Sequence, residues 1–472
     1  MKLIIYGAGI LGKRTFKVLH SFGIEVECFV DKNLDKQSRQ YCGKDVLSMN
    51  ELLNRSWKET YFIIAVSTKY YSQVDEYLLE CGIQRNQILI LEQILLEYYE
   101  KNPMQGILGK ENHIEESFVF DTGDCANIGG VETLVCSFTR ELKDRGKKVH
   151  FVFSGDIENI PEDIRECVIP YRFITVKEED SYEQIPDKVK HMVKHMVDMR
   201  PCKIYLSHIN FIFIAAKIAK QLYSEDIQII SMVHSCDIHT ISVNGLLADE
   251  LDRIICVNAY IKKILQELYP SVHGKVESLD SPVFYDNEFS RDYSNSKKPL
   301  VLGYGGRIVV LQKRSNLIID LLDHLESMMI DYRLYIAGDG PYMQQLIQEV
   351  NSRQLNNKVK LLGVLTQKQM IYFWEQTDIF INVSDYEGLS ISMLEAMSTG
   401  AVPVVTDVDG IHEAVENGFN GYITPINDIR AMAVRIEELG YHREKLMKMS
   451  KNARETIQKR GSLSEYIDQL VR

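Results

Sequence analysis

Short apolar blocks recur along this chain, each followed by a turn and then by a stretch with helical periodicity. Residues 3–6, 25–30, 61–66 and 87–91 are such blocks. Continuous apolar runs of this length, bounded by turn residues, predict buried strands, and the amphipathic stretches between them predict helices. A proline- and glycine-bearing stretch (Pro103, Gly106, Gly109) then interrupts the pattern. The alternation resumes over 118–120, 149–153, 203–206, 227–233 and 253–257, lapses in the polar stretch 285–298, and starts again at Leu300. Strands that alternate with helices form parallel, doubly wound sheets. The pattern therefore predicts an α/β protein of three Rossmann-like units: 1–100, a linker over 101–116, 117–290, and 291–472 after a hinge. The last segment, 462–472, is expected to pack back on the middle unit.

Bulk properties narrow the class. The 472 residues are 45% hydrophobic and 25% charged, as in ordinary globular proteins. A net charge of −12 argues against nucleic acid as a partner. No apolar run reaches the roughly 20 residues that span a bilayer, and the N-terminus opens on a strand rather than a secretory signal. Nine cysteines without a C-x-x-C pair suit a reducing compartment and argue against a structural zinc site. A cytoplasmic location is expected. The stretch 188–200 pairs basic residues with an apolar stripe; it reads either as a membrane-surface helix or, as favoured here, as a helix packed on a sheet with its charges solvated.

The densest chemistry lies over 385–421. An apolar strand (Ile379, Phe380, Ile381, Val383) leads into Glu387-Gly388, a helix is predicted from Ser390 to about Met397, and Thr399-Gly400 ends it. A helix N-terminus offers free N–H groups and the positive end of a dipole, which suits a phosphate. Glu387 stands at the mouth of that junction, and Glu395, about a turn and a half into the helix, is in range of a vicinal diol such as a ribose. Upstream, Gly303-Tyr304-Gly305-Gly306-Arg307 follows a strand and precedes Lys313, so two cations could clamp a diphosphate. Gly338-Asp339-Gly340-Pro341 ends another strand, where open sheets bind ligands. In the middle unit, Gly129-Gly130 lies between strand and helix, and His208 and His234 end two strands.

Together these elements resemble the family 4 glycosyltransferases, retaining enzymes of the GT-B fold, over about residues 117–472. The resemblance implies two Rossmann-like domains facing a cleft and transfer of a sugar from a nucleoside-diphosphate sugar, with UDP the commonest carrier. It implies that Arg307 and Lys313 bind the diphosphate, that Glu387 and His234 touch the donor sugar, and that Glu395 holds the ribose. Gly129, Gly130, Gly306, Gly338, Gly363, Gly388, Leu389 and Ser390 would line the donor. No metal is implied: no Asp-x-Asp stands where a metal-dependent GT-A enzyme would carry it. The acceptor would be a glycan, a lipid-linked molecule or a polymer, in bacterial surface-polysaccharide synthesis, with peripheral association at the inner membrane face as an option. Arg314 departs from the family pattern, which often has glycine there.

The N-terminal unit carries its own fingerprint. Gly7, Gly9 and Gly12 follow the first strand and open a helix, and Asp31 closes the second strand 19 residues after Gly12, the spacing of a dinucleotide site. The unit resembles the small Rossmann-like domains of sugar-nucleotide-modifying enzymes, so this second candidate site could hold NAD, a sugar nucleotide or nothing. Two other readings stay open: an NAD-dependent sugar-nucleotide oxidoreductase and a non-catalytic nucleotide-sugar sensor.

Overall fold

A computed structural model describes residues 2–33, 35–37, 40–54, 60–109, 115–122, 130–171, 182–283 and 298–472. It is α/β, with three largely parallel sheets arranged in series. In the first, Lys2–Tyr6 lies between Cys28–Val30 and Thr60–Ile64, both parallel to it. The second strand is shorter than residues 25–30 suggested. A hairpin of Gln40–Tyr41 and Lys44–Leu47 was not evident from the pattern. Its turn places Cys42 and Gly43 at φ 53° and 74°, both left-handed as tight hairpin turns require.

The middle sheet has seven parallel strands in the spatial order Val276–Ser278, Arg253–Cys256, Ile227–Val233, Cys202–Leu206, Ser117–Asp121, Lys148–Phe153 and Val168–Pro170. The third has six, Val359–Gly363, Tyr332–Ala337, Leu300–Gly305, Ile379–Asn382, Val402–Thr406 and Tyr422–Thr424. Strand order reverses beside Ser117–Asp121 in one sheet and beside Leu300–Gly305 in the other. Helices leave to opposite faces at such a point, and a crevice opens outside the carboxyl ends of the strands. Gly130, His208 and His234 follow strands of the middle sheet, and Gly306, Gly338, Gly363 and Gly388 stand at or just beyond the carboxyl edge of the third, whereas Glu395 lies within the helix Ile391–Ser398.

Several contacts join the units. The helix Ile185–Asp198 turns Val189, Met192, Val193, Met196 and Val197 into the core, so the basic stretch around it is a core helix with a solvated face. The turn Tyr182–Gln184 just before it meets the first unit, where the Lys17 ammonium lies 4.9 Å from the Tyr182 ring centre. Tyr71 of the first unit packs on His239, with ring centres 5.3 Å apart, just after the His234 segment. The final helix Leu463–Leu470 returns to the middle sheet. Tyr466 stacks on Phe138 at 5.2 Å, the Tyr205 hydroxyl donates to Leu470 O (3.1 Å), and Lys203 Nζ donates to Val471 O (2.6 Å).

Candidate functional site

The strand Ile379–Asn382 is buried along its length, so its carboxyl end is rigid. Asn382 and Ser384, which follow from it, aim at one point. Asn382 Nδ2 (3.1 Å), Ser384 Oγ (2.7 Å) and Lys313 Nζ (2.6 Å) all donate to Oε1 of Glu387. Glu387 is 4% exposed. Burial alone would raise its pKa; Lys313, and then Ser384 and Asn382, outweigh that and hold it below the usual carboxylate range. Glu387 is therefore an ionised, buried carboxylate with one oxygen saturated. Among the described residues, none donates to Oε2.

The Glu387-Gly388 turn is gripped from the middle unit. Asn258 Nδ2 donates to Gly388 O (2.5 Å) and Cys236 Sγ to Glu387 O (3.6 Å). A side chain at Gly388 would place its Cβ 2.1 Å from His234 O, so only glycine allows the two backbones to approach. Leu389 packs against the cores of both units. Gly130, the first residue of the helix Gly130–Asp144, has Ile391, the first of Ile391–Ser398, 3.6 Å from where a Cβ would stand. Two helix N-termini thus meet across the cleft. Ser390 is the N-cap of the second and is buried. Gly129 lies outside the described residues.

His234 follows Ile227–Val233, and its Nε2 is buried with no hydrogen-bond partner among the described residues. Burial, with a smaller contribution from His208, pushes its pKa down to about 3, so the imidazole is neutral. His208 sits deep in the cleft yet keeps solvent access. Burial lowers its pKa, with Glu132 and Asp237 pulling the other way.

The cations do not converge as the sequence suggested. Lys313 is drawn inward to Glu387. Arg307 is exposed, and its Nη2 donates to Gln312 Oε1 (2.5 Å). The clamp is split because a buried carboxylate holds one of its two charges. Arg314 adopts φ 48°, the left-handed conformation that glycine would take most easily, and its Nη1 pairs with Asp385 (2.9 Å). The loop shape survives the departure from glycine. Gly306 and Gly338 are in backbone contact: a Cβ on Gly338 would lie 1.9 Å from Gly306 O. Gly363 sits at φ 68°, its carbonyl accepting from Gly338 N (2.7 Å).

Glu395 lies apart from Glu387. Its Oε2 accepts from the indole Nε1 of Trp374 (3.3 Å). Burial pushes its pKa up to about 7, against the Trp374 hydrogen bond. The two carboxyls thus have opposed environments. Asn382, Ser384, Asn258 and Trp374 were missed in the sequence; Asn382, a polar residue at the end of an apolar strand, was the available signal.

In the first unit, Gly12 packs so closely that a Cβ would lie 1.9 Å from Gly7 O, and Gly9 caps the helix Ile10–Ser21. Asp31, however, is committed within the protein. Oδ2 accepts from Ala8 N (2.8 Å) and Lys36 Nζ (3.1 Å), and Oδ1 from Asn33 N (2.9 Å). The acid that a dinucleotide site would turn to the ribose instead ties down the glycine loop. The NAD reading finds no support here.

Comparison with known proteins decides the family. Residues 286–456 match the glycosyl transferases group 1 model, 128–280 the glycosyltransferase family 4 model, and 1–89 the C2185-like N-terminal model. The chain carries the two domains of a group 1, family 4 glycosyltransferase. A curated relative is the N-acetyl-alpha-D-glucosaminyl L-malate synthase of Bacillus anthracis, 22% identical over 73% of this glycosyltransferase and 93% of the relative. Alpha-D-kanosaminyltransferase of Streptomyces kanamyceticus is 30% identical over 39% of the chain and 47% of its own length. Among solved structures, Anabaena HepE in complex with UDP aligns with TM-score 0.60 and 18% identity over 76% of the chain and 98% of its own. The pneumococcal O-GlcNAc transferase GtfA in complex with UDP and GlcNAc aligns with TM-score 0.61 and 14% identity over 76% and 98%. The fold of the 76% of the chain that these structures cover is GT-B. No helix among the described residues is long and apolar enough to cross a membrane.

Proposed function

We propose that the enzyme takes a sugar from a nucleoside-diphosphate sugar, with UDP the first candidate, and transfers it with retention to a glycan, lipid-linked or polymer acceptor in bacterial surface-polysaccharide synthesis. Residues 291–472 form the donor domain, 117–290 the acceptor domain, and 1–100, joined by the linker 101–116, a docked accessory domain. The UDP complexes among the fold neighbours support the choice of base.

The observation that carries this reading is the Glu387-Gly388 turn, buried and gripped by Asn258 and Cys236 of the facing domain. Glu387 Oε2, which no described residue donates to, accepts from hydroxyls of the donor sugar. Lys313 leaves Glu387 for the diphosphate, where Arg307 and the amides at the start of Ile391–Ser398 stabilise the charge that grows as the glycosidic bond breaks. These groups supply the positive charge without calling on a metal ion. His234, neutral and with no partner for Nε2 among the described residues, offers a hydrogen bond to the same sugar. Glu395 receives the ribose hydroxyls. Retention follows from front-face attack, the leaving phosphate taking the acceptor proton.

The test is nucleoside-diphosphate release by the purified full chain from UDP-, GDP- and ADP-sugars. Slow hydrolysis of one donor, abolished in Arg307→Ala and Glu387→Ala, is expected. Neither binding nor release of any of the three would overturn the reading.

A further inference from the structure

The helix Gln367–Glu375 is secured by a capping box in which Thr366 and Gln369 satisfy each other's backbone groups. It ends on Phe373 and Trp374 beneath the strand Leu300–Gly305. Two glycines of that strand make room for them. A Cβ on Gly303 would stand 2.6 Å from Thr377 and 3.2 Å from Phe373, and one on Gly305 would stand 2.6 Å from the Trp374 ring. The indole is 1% exposed and wedged between Phe373 and Phe380, with ring centres 4.4 and 5.5 Å away. Its one polar atom meets Glu395 Oε2 at 3.3 Å, and among the described residues no other group donates to that carboxylate.

We infer that Trp374 is a positioning residue of the donor site: its indole N–H aims the Glu395 carboxylate, leaving the other oxygen free for the nucleotide's ribose. The inference rests on the ribose role given to Glu395 above. A buried indole needs a partner for its N–H, and a carboxylate that takes one fixed donor on one oxygen keeps a defined orientation for ligand on the other. Burial and the indole set the proton affinity of Glu395. The site is therefore responsive to pH near neutrality: ionised Glu395 accepts from both ribose hydroxyls, and the protonated form loses acceptor capacity.

UDP binding measured calorimetrically between pH 5.5 and 8.5 tests this. Wild-type affinity is expected to rise as pH passes about 7. Trp374→Phe should weaken UDP binding roughly tenfold, on the scale of one lost hydrogen bond to a charged group, and move the inflection to higher pH. Glu395→Gln should remove the part of the inflection that Trp374→Phe moves, leaving only the ionisation of the terminal phosphate of UDP. The double variant should bind no worse than Glu395→Gln alone. If Trp374→Phe binds UDP as wild type while Glu395→Gln does not, or if the two losses add, Trp374 only packs and the inference is overturned. If Glu395→Gln binds UDP normally at every pH, the ribose role of Glu395 itself fails. Should Trp374→Phe not fold, fluorescence of Trp374 in a Trp57→Phe background decides: a pH step near 7 that Glu395→Gln abolishes supports the contact, and its absence overturns it.

Discussion

Lys313→Met isolates the chemistry of the buried pair. Nζ and Oε1 stand 2.6 Å apart, with the two side chains 17% and 5% exposed. At that separation and an effective dielectric near 20 the attraction is roughly 6 kcal/mol, while dehydrating each ion costs several kcal/mol. The intact pair therefore contributes little net stability. Removing Lys313 alone is different, because a buried carboxylate without its counter-charge costs about 3–5 kcal/mol. Glu387 can escape by taking up a proton. Relative to an unfolded carboxyl near pKa 4.3, that costs about 1.4 kcal/mol for every pH unit above it. The variant should lose about 1 kcal/mol at pH 5 and reach the full 3–5 kcal/mol by pH 8.

The wild-type sign is the reverse. The folded pKa of Glu387 is depressed, so its contribution is present above the unfolded value and is lost only as pH falls through the folded one. Across pH 5–8 it is flat. Urea unfolding at pH 5, 6.5 and 8 measures the difference between wild type and variant. Adding Glu387→Gln to Lys313→Met should erase the pH dependence and restore stability while leaving turnover absent. A Lys313→Met loss that is the same at pH 5 and pH 8, or that Glu387→Gln does not relieve, refutes the reasoning.

Three further outcomes follow from the same geometry. Glu395→Gln should raise stability at pH 8 by roughly 2–3 kcal/mol, because a carboxyl whose folded pKa is about 7 binds a proton on folding and loses stability as pH rises from its unfolded value; urea midpoints at pH 5 and 8 check it, and no gain at pH 8 would count against the raised value. Gly388→Ala drives a methyl group to 2.1 Å from His234 O; initial rates should fall about a hundredfold while unfolding midpoints move by only about 1–3 kcal/mol, and near-wild-type rates would refute the close approach. His234 is neutral down to about pH 3, so the kcat/KM profile between pH 5 and 8 should carry no limb that His234→Gln removes.

The architecture was legible because parallel strands buried on both faces are near-continuous apolar runs. Residues 227–233 and 203–206 are of this kind, and both became central strands. Of the edge elements, Ile88–Leu89 was legible within the apolar block 87–91, while others were not. Gln40–Tyr41 and Val276–Ser278 carry few apolar residues, since an edge strand buries less and its pairing is decided by tertiary contacts. The helix Ile185–Asp198 showed why an apolar stripe beside basic residues is ambiguous: the same pattern serves a membrane surface and a sheet, and only the partner distinguishes them.

The site was legible in its residue types and not in its pairings. Glu387, Lys313 and Arg307 are visible as charges at strand ends, and the simplest reading lets both cations face a common anion. That reading treats Glu387 as solvated. Once Asn382, Ser384 and the facing domain cover it, a carboxylate at 4% exposure cannot stand without a counter-ion, and Lys313 is the cation within reach. The covering comes from Asn258 and from His234 and Cys236, more than a hundred residues away in the chain. No local pattern encodes a contact of that separation. The glycine at 388 is its one trace, because the closeness of the two domains forbids any side chain there. On the proposed reading the donor site in this state is therefore internally neutralised. A diphosphate would then have to compete with Glu387 for Lys313, and the gain in releasing Glu387 to the sugar would have to offset the ion pair that is broken. Donor and diphosphate are thereby coupled through one lysine: a nucleoside diphosphate without its sugar should bind more weakly than the intact donor, because it strands Glu387 without a partner.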